Sequence, residues 1–135
     1  MSEQGRPHKD RVFSIADRIK SIHYAVAGLG LMLRTQHNAW VHLAVTIVVV
    51  TAGLILGLTT EAWLAVILAI AIVWLAEALN TAFELLCDVA SPDFHPAVKA
   101  AKDVAAAAVL VSAIAATIVG TIVFLPRIIR LIALS

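Results

Sequence analysis

A chain of 135 residues that is 61% apolar and only 14% charged has too little polar surface to cover an ordinary soluble domain. Its formal net charge of +1, without any basic tract, offers no footing for nucleic acid. The single cysteine, Cys87, excludes an internal disulfide and fits a small packing residue.

Residues 1–10 read as a polar tail, and 11–135 as a single integral-membrane domain. No cleavable signal peptide is visible, because charges precede any apolar run. From Arg11 onward the apolar positions Val12, Ile15, Ile19, Ile22, Val26, Leu29 and Leu33 recur at spacings of three and four. Arg18, Lys20 and Arg34 avoid that stripe, which predicts an amphipathic helix over about 11–34, lying in the cytoplasmic membrane interface. Gly28 and Gly30 are expected to loosen it, and Thr35-Gln36-His37-Asn38 to turn the chain into the first span.

Three apolar stretches follow, at about 39–58, 62–87 and 97–125. Each supplies the roughly 20 residues that cross about 30 Å of hydrocarbon. Lipid gives the backbone no hydrogen-bond partners, so these spans are expected to be α-helices, and the fold all-α. Gly57-Leu58-Thr59-Thr60 predicts a short hairpin that makes the first two spans antiparallel neighbours. Ser91-Pro92-Asp93-Phe94-His95-Pro96 breaks the second span, and Pro96 suits the first turn of the third. Six Lys and Arg residues precede the first span, while Lys99 and Lys102 flank the second connection. The positive-inside rule then puts the N-terminus and the 88–103 connection in the cytoplasm. The alanines and Gly120 of the third span form a small-residue surface for close helix contact, and three helices per chain predict a homo-oligomer.

The second span carries Glu77, Asn80 and Glu84, with Asp88 one turn further on. A carboxylate at a span's centre costs about 3 kcal/mol on insertion scales, so such residues mark a functional site by default. Glu77 and Glu84 differ by only about 20° in direction and lie roughly 10 Å apart along a helix axis. One face thus presents acid, amide, acid, acid. A polar seam gluing helices together is the structural alternative; asparagine suits it, but repeated carboxylates suit it poorly. Trp74 is expected to pack deep against another helix, and His42 to be a hydrogen-bonded packing residue.

Lys102 and Asp103 open the third span at the level of Glu84 and Asp88. Lys102 can answer an acid or a phosphate, and equally could snorkel to the interface without a ligand. Magnesium takes one or two carboxylates and bridges nucleotide phosphates. A further carboxylate can accept a hydroxyl proton, and a lysine can neutralise phosphoryl oxygens. This arrangement suits phosphoryl transfer in a water-reachable crevice at the membrane boundary. No Walker sequence, kinase catalytic loop or His/Cys metal cluster is present. Two rival classes use the same residues differently: a small oligomeric ion or proton pathway (a transporter subunit) relaying through Glu77 and Glu84, and a structural scaffold.

The run Glu77-Ala78-Leu79-Asn80-Thr81-Ala82-Phe83-Glu84, with Asp88, the Ser91–Pro96 turn and Ala101-Lys102-Asp103-Val104-Ala105-Ala106, resembles the prokaryotic diacylglycerol kinase family, which includes undecaprenol kinases. The resemblance runs from about Phe13 to Pro126. It implies a homotrimeric lipid kinase of the bacterial plasma (inner) membrane, with three spans and one surface helix per chain. ATP with magnesium would be its phosphate source, and a lipid alcohol its acceptor. By the same resemblance Glu77 looks like the general base, and Asn80 helps to position substrate. Glu84 looks like a magnesium ligand at the nucleotide, which Lys102 and Asp103 contact. Many members carry a second metal-binding glutamate before the first span; here Gln36 stands at that position, an amide oxygen without charge. The Ser91–Pro96 turn and the alanine-rich start of the third span lean toward the undecaprenol branch, with diacylglycerol as the other acceptor.

Overall fold

The computed structural model describes residues 14–133, and all its regular structure is helical: α1 (Ile15–Thr35), α2 (His37–Ile55), α3 (Thr60–Ala90) and α4 (Pro96–Ala133). The tail at 1–10 and the start of the first predicted helix, with Val12, lie outside the described residues. The last three helices are long and apolar enough to cross a membrane.

The start of each helix follows from local chemistry. Ser14 Oγ accepts the Asp17 N–H at 3.3 Å, capping α1, and Asp17 adds an acid to its first turn. Thr59 does the same for α3 through the Ala62 N–H, with Glu61 as the first-turn acid. At the start of α4 the Ala97 N–H donates to His95 Nδ1 at 3.2 Å, and Pro96 occupies a position where its missing N–H costs nothing. The helix stops are equally legible: α3 ends just before Ser91-Pro92, since the residue ahead of a proline is pushed out of helical geometry. Gly57, at a φ of +60°, makes the turn after α2.

Several predicted boundaries move. α1 runs unbroken through Gly28 and Gly30, and the link to α2 is Gln36 alone, in extended conformation. α3 starts earlier than 62 because Thr59 caps it, and it runs past 87 to Ala90, with Asp88 paired to Lys102. α4 passes through Pro126, where a stop near 125 is expected, and continues to Ala133. Pro126 removes the donor that would reach the Ile122 carbonyl, and one residue on the Arg127 guanidinium bonds the Val123 carbonyl at 2.6 Å.

α3 is the centre of the molecule. It packs antiparallel along α4 on one side and against α2 on the other, while α1 touches α2 and α3. At the Gly57 end, Leu58, Val66 and Val123 form the core, with Trp63 and Phe124 packed against it. A side chain added at Gly53 would come within 2.8 Å of Trp63 Cη2, so glycine there lets the indole lie against α2. Outward faces are covered with exposed apolar residues such as Ile47, Leu68, Leu110 and Ile122, and the stripe Ile15, Ile19, Ile22, Val26 and Leu29 of α1 is exposed too. Lipid tails are as apolar as these side chains, so close packing, not burial from water, selects the contacts between spans.

Candidate active site

Three cross-helix contacts align α3 with the chain around α2. Trp74 Nε1 donates to Thr46 Oγ1 at 3.1 Å, confirming the deep packing expected of this tryptophan. One turn on, His42 Nε2 stands 3.8 Å from Glu77 Oε2. Further on, the Gln36 amide Nε2 donates to Glu84 Oε2 at 2.8 Å. Numbers fall on one side as they rise on the other, the register of antiparallel neighbours. Polar side chains of α3 that have no business in hydrocarbon are thus met, turn by turn, from one direction.

The two acids of this series have unlike surroundings. Glu84 is half-buried, and both of its oxygens are engaged, Oε2 by Gln36 and Oε1 by Asn80 Nδ2 at 3.2 Å. Glu77 is 0% exposed, and neither of its oxygens has a hydrogen-bond partner. The buried atoms Asn80 Oδ1 and His42 Nε2 are also unpaired. A water-reachable crevice is expected to hold both carboxylates; within the chain, Glu77 is instead covered on every side by α3 and its neighbours. Leaving a buried polar atom unpaired costs on the order of 1–3 kcal/mol, more for a charged one. Such a cluster requires an explanation beyond packing within the chain, of which bound water, an ion and substrate are the usual ones.

Beyond Glu84, Lys102 Nζ bonds Asp88 Oδ1 across the turn that joins α3 to α4. Lys99 bonds Asp103 Oδ2 at 2.6 Å one turn along α4. Both pairs are largely exposed, where ion pairs contribute little and exchange readily for another anion. The structure therefore gathers Gln36, Asn80, Glu84, Asp88 and Lys102 at one end of the bundle, with Glu77 and His42 a step deeper. Asp103 shares the turn of α4 with Lys99 rather than touching Glu84 directly.

Two apolar grooves flank this line. One, of about 940 Å³, runs between α3 and α4 and is walled by Leu79, Phe83, Val104 and Ala108, with Asn80 at its polar edge. The other, of about 600 Å³, lies between α2 and α4 beside Val45, Val73 and Thr117 and includes His42.

His42 departs from the expected hydrogen-bonded packing residue in one respect: its Nε2 makes no hydrogen bond and faces the buried acid. A usable signal was its spacing, since His42 and Thr46 are one turn apart on an apolar helix and so mark a single face. Among the described residues no cluster of three His, Cys, Asp or Glu side chains is poised for a metal. What the site offers a hard cation is the Glu84 carboxylate and the free oxygen of Gln36, whose nitrogen is the atom turned to Glu84. That set suits magnesium only as it arrives with nucleotide phosphates, since the ion then takes most ligands from phosphate and water.

The chain forms a membrane-spanning helical bundle with an acid–amide row beside a lysine, and comparison with known proteins gives that bundle a family. The family model for prokaryotic diacylglycerol kinase matches residues 23–124. The chain is 37% identical to the undecaprenol kinase of Bacillus subtilis over 108 residues, 80% of this chain and 88% of that protein. It is 36% identical to the diacylglycerol kinase of Synechocystis sp. over 128 residues, 93% of this chain and 73% of that protein.

The chain belongs to the prokaryotic diacylglycerol kinase family and is a lipid kinase of the membrane. The ion-pathway reading gains no support from this membership.

Proposed function

We propose that the chain transfers the γ-phosphoryl group of ATP directly to the hydroxyl of a membrane lipid alcohol, with undecaprenol favoured over diacylglycerol. The observation that carries the reading is the buried, unpaired Glu77 carboxylate, one step deeper than a Glu84 held in place by Gln36 and Asn80. Undecaprenol is favoured by the Ser91–Pro96 turn and the alanine-rich start of α4.

Glu77 is the general base. Its carboxylate takes the hydroxyl proton as the lipid oxygen bonds to the γ-phosphorus and the bond to the β–γ bridging oxygen breaks, releasing ADP. Asn80, at the edge of the α3–α4 groove, orients the hydroxyl while hydrocarbon lies along Leu79 and Phe83. Lys102 leaves Asp88 for the phosphates, and Asp103 contacts the rest of the nucleotide. Glu84, with Gln36, would hold magnesium, which when bound offsets charge on the phosphate oxygens. Gln36 contributes a neutral oxygen, so the metal is held more weakly than by two carboxylates.

Helix length supports a site at the membrane surface. α3 has 31 residues. At about 1.5 Å per residue it outreaches the roughly 30 Å of hydrocarbon by about 15 Å. Counted from Thr60, the hydrocarbon ends near Asn80, so Glu84 and Asp88 fall among headgroups. The Lys and Arg distribution supports a cytoplasmic side for this end and the family a bacterial inner membrane, and the exposed stripe of α1 supports an amphipathic helix lying in the interface. The exposed small-residue face of α4 supports a homo-oligomer, and the family resemblance makes it a homotrimer.

The test is purified protein in lipid nanodiscs, given undecaprenol or diacylglycerol with labelled ATP and magnesium. Turnover is expected with one or both alcohols, faster with undecaprenol. Glu77→Gln is expected to lower turnover by at least about 100-fold with oligomer size unchanged. Wild-type turnover in Glu77→Gln would overturn the base assignment, and phosphorylation of neither alcohol would overturn the acceptor class.

A further inference from the structure

The unpaired Glu77 carboxylate is faced by one polar side chain of another helix, His42, whose buried Nε2 is equally without a partner. The 3.8 Å between Nε2 and Oε2 is too long for a hydrogen bond and closes to one with a shift of about 1 Å. Bonds to catalytic groups are often long before substrate arrives and tighten in the reacting complex. From this geometry we infer that His42 is the positioning residue of the base: its Nε2–H holds one Glu77 oxygen and leaves the other for the lipid hydroxyl. The inference rests on Glu77 being the base.

Three further observations agree. First, an imidazole donates an N–H while neutral, so it orients a carboxylate in an apolar layer without burying a second charge, which lysine or arginine would do. Second, His42 is itself held. Thr46 Oγ1, fixed by the Trp74 indole, bonds the His42 carbonyl at 2.7 Å. That chain ties the backbone of His42 to α3 one turn from Glu77, so the ring's root cannot drift relative to the acid. Third, His42 borders the α2–α4 groove while Asn80 borders the α3–α4 groove, with Glu77 buried between them. A base approached by substrate from the Asn80 side is braced from the opposite one, and a base with an orienting partner is the general arrangement of activated groups.

The test compares steady-state kinetics of His42→Leu, His42→Gln, His42→Asn and Glu77→Gln in nanodiscs. His42→Leu is expected to lower kcat about 10- to 100-fold, the loss of one hydrogen bond to a charged group, with KM for ATP unchanged. The glutamine amide reaches about as far as Nε2 and the asparagine amide stops short. His42→Gln is therefore expected to regain most of the lost kcat, and His42→Asn little of it. A purely structural histidine would show no such order, and the Gln and Asn variants decide the matter even if the Leu variant assembles poorly. Equal kcat for Gln and Asn, or wild-type kcat in His42→Leu beside an inactive Glu77→Gln, would overturn the role of His42 and leave the base assignment standing. An active Glu77→Gln would remove both.

Discussion

Near Thr60, α3 is held by hydrocarbon, with Trp63 against Gly53 and Val66 against Leu58 and Val123; from Glu77 to Asp88 it is held by polar side chains instead. The first region is fixed by shape, because an indole seated on a glycine has one good position. The second is fixed by contacts that a nucleotide or a lipid hydroxyl can replace, since each is a hydrogen bond or ion pair of modest net value. One helix thus carries a half held by shape and a half held by polar contacts, which on the proposed function are exchanged during turnover.

Substitutions in each half should therefore separate activity from stability. The largest effect is expected at the exchangeable end. Lys102→Met should raise KM for ATP about 10- to 100-fold, the value of hydrogen bonds to a charged group, with thermal unfolding in detergent unchanged. Unchanged ATP dependence would break the comparison there. Next comes the rigid end, where Gly53→Val should destabilise the fold by about 1–3 kcal/mol through overpacking against Trp63. Its unfolding temperature should fall while specific activity of the folded fraction holds. A Gly53→Val protein that is stable yet inactive would mean that the two halves are not separable. The smallest effect is expected from Gln36→Glu, which adds a second carboxylate beside Glu84. It should tighten magnesium activation a few-fold, within about 1 kcal/mol, because ATP already supplies most of the ligands. A magnesium titration of initial rates reads this directly.

The spans, the Gly57 turn and the Ser91–Pro96 break were legible because each is signalled by residues adjacent in the chain: unbroken apolar runs, a glycine, two prolines. The acid row was legible for a related reason, since Glu77, Asn80 and Glu84 share a helix and a helix fixes their common face. What crosses between helices was not. His42 facing Glu77 depends on how α2 is rotated about its axis, and a helix apolar all round gives its rotation away only through a few polar residues, here His42 and Thr46. The burial of Glu77 escaped for the same reason, as it needs the neighbouring helices in place. The third span, expected over about 97–125, runs on as one helix through Pro126 to Ala133, because a proline near the end of a spanning helix does not have to stop it.

The link of five residues, 91–95, between α3 and α4 has a consequence for assembly. Asp88, Lys102 and the flanking acids meet across a short hairpin, so this portion of the site closes a small loop and can form early, as contacts close in sequence do. Gln36 and His42 arrive from the other side of the molecule, through more than thirty intervening residues. A hairpin inserted alone would hold Glu77 without its histidine. On the proposed roles, the docking of the first half of α2 against α3 is the step that completes the site.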